Sequence, residues 1–267
     1  MTPKSPADKW AAGDAYETFM GRWSREIARR FVRWLACEPD RAWLDVGCGT
    51  GALATAVCEL AAPSRVVACD PSEPLVRHAR STIPAPRVSV LVAGFGGLPE
   101  TPGGFDRVVS GLVLNFLPDV PRSVREMRAR TCPGGVVAAY VWDYAKGMEF
   151  LRCFWDEAVA LDEGARELDE GVRFPMCRRE VLEVLFSDAG LHDVRSDAME
   201  IPTRFAGFSD YWEPFLGGTG PAPSYVASLE EDQRTELRAR LERRLAQPRG
   251  GIIELLARAW AVRGTAP

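Results

Sequence analysis

The chain has 267 residues and a mass of 29.4 kDa, a length that fits one large domain with a sizeable core. Hydrophobic residues make up 46% of it and charged residues 26%, a balance that excludes a collagen-like, low-complexity or wholly disordered protein. The formal net charge of −4 argues against a nucleic-acid partner, which would favour a basic chain.

The amino terminus has no apolar stretch that could serve as a signal sequence, and the longest apolar run, at residues 136–142, is too short to span a bilayer. We therefore expect a cytoplasmic protein without a membrane partner. Seven cysteines without a Cys-x-x-Cys pair indicate reduced thiols. His78 and His192 are the two histidines of the sequence, too few for a multi-histidine metal centre, and no metal is expected.

The first predicted element is a helix that follows Ser24 and carries Ile27, Phe31 and Leu35 at the spacing of one buried face. Short apolar runs then alternate with helical segments. The predicted strands lie at residues 42–46, 66–69, 88–92, 105–110 and 136–142. The helices between them lie at 52–61, at 72–80, and from the end of the loop at 115–118 to Thr131, before a turn at Pro133-Gly134-Gly135.

The alternation loosens after Asp143. Helices are predicted at residues 178–189 and 230–245, and strands at 194–201 and 251–262. Alternating strands and helices with continuously apolar strands indicate an α/β fold with a doubly wound, mostly parallel sheet of the seven-stranded type. Ligands of such sheets bind beyond the carboxyl ends of the strands.

The sharpest motif is Leu44-Asp45-Val46-Gly47-Cys48-Gly49-Thr50-Gly51, which lies between a predicted strand and a predicted helix. Glycines there allow a tight turn and close approach of a ligand to the backbone. Asp70 ends the next strand, 19 residues after Gly51, where its carboxylate can accept both hydroxyls of a ribose. The pattern predicts an adenosine-type ligand, although Gly47, Gly49 and Ala52 also satisfy the loose dinucleotide fingerprint.

With Asp45 before the glycines, the motif resembles the first motif of the class I S-adenosylmethionine-dependent methyltransferases. Further segments resemble that family in the same order: Asp70-Pro71-Ser72, the strand at 105–110, and Cys132-Pro133-Gly134-Gly135. Residues 16–24 and 259–264 resemble a bacterial branch of it, near the ubiquinone/menaquinone-biosynthesis type. The resemblance implies a Rossmann-like methyltransferase fold with a helical cap, formed by one domain over 1–267: a cap segment at 1–38, a cofactor-binding core at 40–143, and late strands with cap insertions at 144–267.

The resemblance also implies S-adenosylmethionine as cofactor and S-adenosylhomocysteine as product. The residues expected to bind the cofactor are Tyr16, Arg22, Trp23, Asp45, Gly47, Gly49, Gly51, Asp70, Pro71, Gly94, Phe95, Ser110 and Asn115. Arg22 would pair with the donor carboxylate. Phe95 stands where the family often has an Asp that binds the adenine amino group, and its ring would pack on adenine instead.

Four residues are candidates for contact with the acceptor, each with a structural alternative. Asn115 follows the fourth strand, where it can meet an acceptor or serve as a turn residue before Pro118. Asp143 can orient an acceptor or can be an Asp of the kind that commonly follows a strand in a loop. Trp142 and Phe154 can wall an apolar pocket or pack beneath a lid.

We therefore predict transfer of a methyl group from S-adenosylmethionine to a small organic acceptor by in-line displacement, with positioning as the main task. No side chain is assigned as a catalytic base, and the oligomeric state is left open. The alternatives are a protein of the same fold that binds the donor without methylating, and a dinucleotide oxidoreductase.

Overall fold

The computed structural model describes residues 17–83, 86–217, 220–246 and 251–267. They belong to two compact units. The sheet unit comprises Trp23–Trp142, Met176–Met199 and Ala259–Pro267, and the insert unit comprises Met1–Arg22, Asp143–Pro175 and Glu200–Arg258. The sequence prediction of one domain with cap segments stays a prediction.

Seven strands form a single sheet in the order β3-β2-β1-β4-β5-β7-β6. Strands β1 to β5 pair in parallel, and β7 runs antiparallel to β5. This arrangement confirms the predicted doubly wound, mostly parallel sheet. The strands are β1 (Ala42–Val46), β2 (Arg65–Asp70), β3 (Val88–Val92), β4 (Phe105–Gly111), β5 (Thr131–Trp142), β6 (His192–Phe205) and β7 (Ile253–Thr265).

Ten α-helices are found among the described residues, and short 3-10 and π turns separate some of them. They are α1 (Arg22–Leu35), α2 (Ala52–Leu60), α3 (Glu73–Thr82), α4 (Val120–Ala129), α5 (Glu149–Leu161), α6 (Glu170–Arg173), α7 (Arg179–Asp188), α8 (Phe208–Trp212), α9 (Pro221–Ser228) and α10 (Glu231–Arg244). Within the described ranges, none is long and apolar enough to cross a membrane.

Helix α1 begins three residues earlier than the sequence predicts. Ser24, expected just before the helix, lies inside it with 2% of its surface exposed. The predicted apolar face is correct, because Ile27, Phe31 and Leu35 are all buried. Phe31 packs on Tyr140 of β5 with ring centroids 4.6 Å apart.

Strand β5 is longer than predicted, and Pro133-Gly134-Gly135 is not a turn that precedes it. These residues form a bulge inside β5, where the pairing with β4 shifts from Phe105–Thr131 to Arg107–Val136. The bulge is closed by hydrogen bonds in both directions, from the Gly134 N–H to the Ala266 carbonyl and from the Ala266 N–H to the Gly135 carbonyl. Pairing with the end of the chain thus keeps these residues in the sheet.

The core of the insert unit is built from aromatic side chains. Phe154 of α5 stacks on Phe215 at 4.5 Å with an interplanar angle of 6°. Phe19 meets Phe215 edge-on at 5.5 Å. The Tyr211 hydroxyl donates to the Phe150 carbonyl at 2.8 Å, so its polar group is satisfied in an apolar interior. Periodicity after Asp143 had not indicated α5, which carries much of this core.

Candidate functional site

The glycine loop leaves β1 and enters α2 through two residues that require glycine. Gly47 has a φ of +74°, and a Cβ there would lie 2.6 Å from the Val113 side chain. The N–H groups of Gly47 and Cys48 both donate to the Cys69 carbonyl at 2.8 and 2.9 Å. Gly49 has a φ of +53°, and a Cβ there would meet no heavy atom within 4 Å. The loop is therefore packed beneath Gly47 and open beside Gly49.

Asp70, at the end of β2, is tied to this loop. Its Oδ2 accepts the Gly49 N–H at 3.0 Å and its Oδ1 accepts the Ser72 N–H at 2.8 Å. Only 8% of the residue is exposed, and burial raises the pKa of Asp70 while the two N–H groups lower it. Because a carboxylate has about four acceptor positions, each oxygen retains one for a ligand hydroxyl.

Asp45 lies on β1 with 1% of its surface exposed. Within the described residues, neither of its carboxylate oxygens has a hydrogen-bond partner. Burial raises the pKa of Asp45 to about 7, the charge of Asp70 adds to the increase, and the nearby Ala54 N–H acts in the opposite direction. The carboxyl group therefore changes its charge near neutral pH.

Ser110 lies on β4, and Asn115 lies in the short turn that follows this strand. The two side chains have different surroundings. Ser110 is fully buried and donates its hydroxyl to the Val46 carbonyl at 2.8 Å, so it joins β4 to β1. Asn115 is 8% exposed, and its amide nitrogen and oxygen have no hydrogen-bond partner among the described residues. A buried amide without partners carries a desolvation cost that a ligand could relieve.

Gly94 and Phe95 lie in the loop that follows β3. A Cβ at Gly94 would lie 3.3 Å from the Pro71 Cβ, so this loop runs against the segment that follows Asp70. Phe95 is half-buried. The loop is held by Glu126 of α4, whose carboxylate accepts the N–H groups of Gly96 and Leu98 at 2.7 and 3.2 Å.

The remaining predicted site residues are packed or paired. Trp23 and Trp142 belong to the sheet unit and are 6% and 1% exposed. In the insert unit, Phe154 is fully buried. Tyr16 lies outside the described residues.

In the structure, Arg22 and Asp143 both have partners inside the insert unit. Arg22 donates to both Asp210 oxygens at 3.2 and 3.3 Å. The Asp143 carboxylate pairs with Arg258, at 2.6 Å from its Nη2, and also accepts the Lys146 N–H. Among the described residues, no group of three or more His, Cys, Asp or Glu side chains could hold a metal ion.

Two contacts were not predicted from the sequence, that of Glu126 with the loop after β3 and that of Glu170 with Trp155. Glu126 lies 28 to 30 positions from the two N–H groups that it accepts, and a carboxylate on a polar helix gives no signal for such a contact. Glu170 is 3% exposed and accepts the Trp155 indole N–H. Burial raises the pKa of Glu170 to about 7. An acidic residue beside a short helix would normally be interpreted as solvent-exposed.

Residues 44–139 match the family model described as a methyltransferase domain. The chain is 46% identical over 83 residues to ribosomal protein L11 methyltransferase of Thermotoga maritima, covering 30% of this chain and 31% of the relative. It is 29% identical over 112 residues to 2-phytyl-1,4-naphtoquinone methyltransferase of Trichormus variabilis, covering 40% and 49%. The chain thus matches less than half the length of each of these relatives.

The structure resembles that of Haemonchus contortus phosphoethanolamine N-methyltransferase 2, with a TM-score of 0.58 over 96% of this chain and 57% of the other. At 16% identity, this likeness shows a shared fold. Within the chain, the match over residues 44–139 identifies a methyltransferase domain.

Proposed function

We propose that the chain transfers a methyl group from S-adenosylmethionine to a small organic acceptor by in-line displacement and releases S-adenosylhomocysteine. The observation that carries this proposal is the pairing of Asp70 with the Gly49 N–H, which fixes a ribose-binding type of carboxylate against an open glycine loop. The matched methyltransferase domain contains both residues.

The sheet unit fits an adenosyl ligand in three respects. Among the described residues, the space beside Gly49 is open, Asp70 retains acceptor positions, and the Asn115 amide has no hydrogen-bond partner. We assign the ribose hydroxyls to Asp70 and the adenine ring to the loop at Gly94 and Phe95. The other predicted cofactor residues of this unit are Trp23, Asp45, Gly47, Gly51, Pro71 and Ser110, of which Ser110 acts by joining the strands that hold the loop.

The donor supplies a methyl group on a positively charged sulfonium, and its leaving group departs neutral, so no acid is needed. The protein's main contribution is to hold the acceptor in line, which can supply up to about 7–11 kcal/mol in favourable cases. Rigid strands suit this task, since the predicted donor contacts follow β1, β2 and β4. Asp45, whose carboxyl group changes its charge near neutral pH, lies on β1, where its ionised form would favour a cationic donor.

Asn115 is the residue that we propose to position the acceptor or the amino-acid end of the donor. Among the predicted acceptor residues Asn115, Trp142, Asp143 and Phe154, it is the one with unpaired polar atoms in the described part of the chain. The Asp143 carboxylate is committed to Arg258, and Trp142 and Phe154 are buried. We propose that Trp142 supports the site through packing within the sheet unit, whereas Asp143 and Phe154 stabilise the insert unit. The pairing of Arg22 with the donor carboxylate stays a prediction, and within the insert unit Arg22 pairs with Asp210.

A small acceptor is favoured by the relative named as a phytyl-naphthoquinone methyltransferase, and the acidic composition argues against a nucleic-acid acceptor. The L11 methyltransferase relative makes a protein acceptor the alternative to test. We propose a cytoplasmic location, in line with seven cysteines that form no Cys-x-x-Cys pair.

Calorimetric titration with S-adenosylhomocysteine, with NADH as the control ligand, tests the donor site. We expect the first to bind and the second not to. Incubation with methyl-labelled S-adenosylmethionine, either with a panel of phenols and quinols or with a protein extract, then tests the acceptor. Label in a small molecule supports the proposal, and label in protein alone contradicts the acceptor class. Donor binding without any label transfer would favour a non-methylating protein, and binding of NADH instead would favour an oxidoreductase.

A further inference from the structure

The loop at residues 93–98 is held at both of its ends and at its turn. The Ala93 N–H donates to the Asp70 carbonyl at 3.1 Å, which continues the pairing of β3 with β2. The Gly97 N–H donates to the Gly94 carbonyl at 3.0 Å and closes a turn around Phe95 and Gly96. The Leu98 residue that follows is 3% exposed. The loop is thus a fixed turn followed by the buried Leu98.

The carboxyl-terminal end of helix α4 supplies side chains that hold this loop in place. Glu126 Oε2 accepts the Gly96 N–H at 2.7 Å, and its Oε1 accepts the Leu98 N–H at 3.2 Å. One helical turn later, Arg130 donates its Nε to the Leu98 carbonyl at 3.1 Å and its Nη2 pairs with Glu100 at 3.0 Å. Two side chains of one helix end therefore satisfy the loop's N–H and carbonyl groups together.

A carboxylate that accepts two backbone N–H groups forms charge-assisted hydrogen bonds, which are stronger than neutral ones. Both bonds fall on residues just after Phe95. If the carboxylate is removed, the two N–H groups lose their partners, and the glycines at 94, 96 and 97 give the loop many alternative conformations. Together with the bonds from Arg130 and the backbone, the Glu126 carboxylate therefore favours a single conformation of this loop.

The same carboxylate lies close to the end of β2. Its charge contributes to raising the pKa of Cys69, the residue directly before Asp70. The segment that Glu126 fixes also lies against Pro71, through Gly94. Glu126 thus acts beside the carboxylate that we assign to the ribose.

We propose that Glu126 is a positioning residue for donor binding, which orders the Gly94–Leu98 loop so that Phe95 is presented to the adenine ring before the donor arrives. This inference rests on the proposed function, which places the donor against that loop. Loss of Glu126 should therefore weaken donor binding without slowing the methyl-transfer step on enzyme that is saturated with donor.

The test compares the intact chain with Glu126→Ala and Glu126→Gln. We expect the affinity for S-adenosylhomocysteine to fall about tenfold in the alanine variant and less in the glutamine variant, which keeps one acceptor oxygen. KM for the donor should rise in parallel, while kcat at saturating donor stays unchanged. Hydrogen exchange of the peptide covering residues 94–100 should accelerate in the alanine variant without ligand.

Asp119→Ala is the matched control. Asp119 caps the same helix by accepting the Arg122 N–H and does not belong to the loop contacts. We expect it to lower the melting temperature but to leave donor affinity unchanged. A Glu126→Ala variant that binds S-adenosylhomocysteine as tightly as the intact chain overturns this inference alone. Failure of the intact chain to bind the ligand overturns the proposed function and this inference with it.

Discussion

The Asp70 carboxylate accepts the Gly49 backbone N–H at 3.0 Å, so the end of β2 and the turn after β1 are fixed relative to each other. A side chain that both holds the loop and offers acceptor positions to a ligand should be costly to remove. We expect Asp70→Ala to weaken S-adenosylhomocysteine binding about 10- to 100-fold, because a ligand contact is lost and two N–H groups lose their partner.

The chain offers a matched control for this experiment at the opposite ends of the strands. Asp106 accepts the Ala42 N–H at 2.8 Å, where β1 begins. Asp106→Ala removes the same kind of bond away from the proposed site. It should reduce thermal stability and leave binding unchanged, as measured by calorimetry. Equal losses of affinity in the two variants would show that Asp70 acts only through stability.

Replacing Asn115 should separate stability from activity. Its amide is buried without partners in the described part of the chain, so Asn115→Leu removes a desolvation cost. We expect a melting temperature equal to or above that of the intact chain. Turnover should fall at least about tenfold, because the polar contact proposed for donor or acceptor is lost. Unchanged turnover, measured by methyl-label transfer, would assign Asn115 to the turn instead.

Donor binding should depend on pH through Asp45. Its pKa lies at about 7 in the folded protein, so the ionised fraction rises as the pH increases through neutrality. Because the sulfonium is positively charged, we expect S-adenosylmethionine to bind more tightly at pH 8 than at pH 6.

Calorimetry with S-adenosylmethionine across this range gives the measurement, and Asp45→Asn gives the control. The asparagine variant should show a flatter profile. S-adenosylhomocysteine, which lacks the sulfonium charge, should also show a smaller change in the intact chain. An identical slope for the intact chain and the variant would exclude Asp45 as the titrating group.

Glu170 predicts a second pH effect, on stability. Its pKa is raised from 4.5 to about 7 in the folded chain, so between these values the unfolded chain releases a proton that the folded chain retains. Stability should therefore fall as pH rises through this window and level off above it. The loss from Glu170 amounts to at most about 3 kcal/mol.

Glu170→Gln keeps an oxygen acceptor for the Trp155 indole but does not titrate. We expect the melting temperature of this variant, relative to the intact chain, to increase from pH 5 to pH 7.5. Glu163→Gln, at an exposed position of the insert unit, should show no such trend. A constant difference between the Glu170→Gln variant and the intact chain would contradict the raised pKa of Glu170.

Much of the fold could be predicted because its signals are local. The bounds of β1 and β3 were predicted correctly, since each is a short apolar run between turn residues. The bulge at Pro133–Gly135 could not be predicted from this stretch, because Ala266 keeps it in the sheet from more than 100 residues away. The pairing of Asp143 with Arg258 could not be predicted either, because these two residues are 115 positions apart in the sequence.

The candidate site was predictable in its residue types and less so in its contacts. The motif around Gly47 and Gly49 located the loop, but the occupation of both Asp70 oxygens by N–H groups depends on the backbone geometry. Likewise, the sequence does not show that the Ser110 hydroxyl donates to the Val46 carbonyl. Nor does it show that the Asn115 amide has no hydrogen-bond partner among the described residues. Such differences are set by packing between elements rather than by local pattern.

Strand β7 lies between β5 and β6 in the sheet, although it follows both of them in the sequence. As the chain is synthesised, β6 is complete about 60 residues before β7 is. At about 5–20 residues per second, roughly 3–12 seconds pass before the strand that joins β6 to β5 exists. In that interval both strands present unpaired edges that other nascent chains could pair with. We therefore expect protein yield during expression to depend on chaperone supply and translation speed between residues 205 and 265.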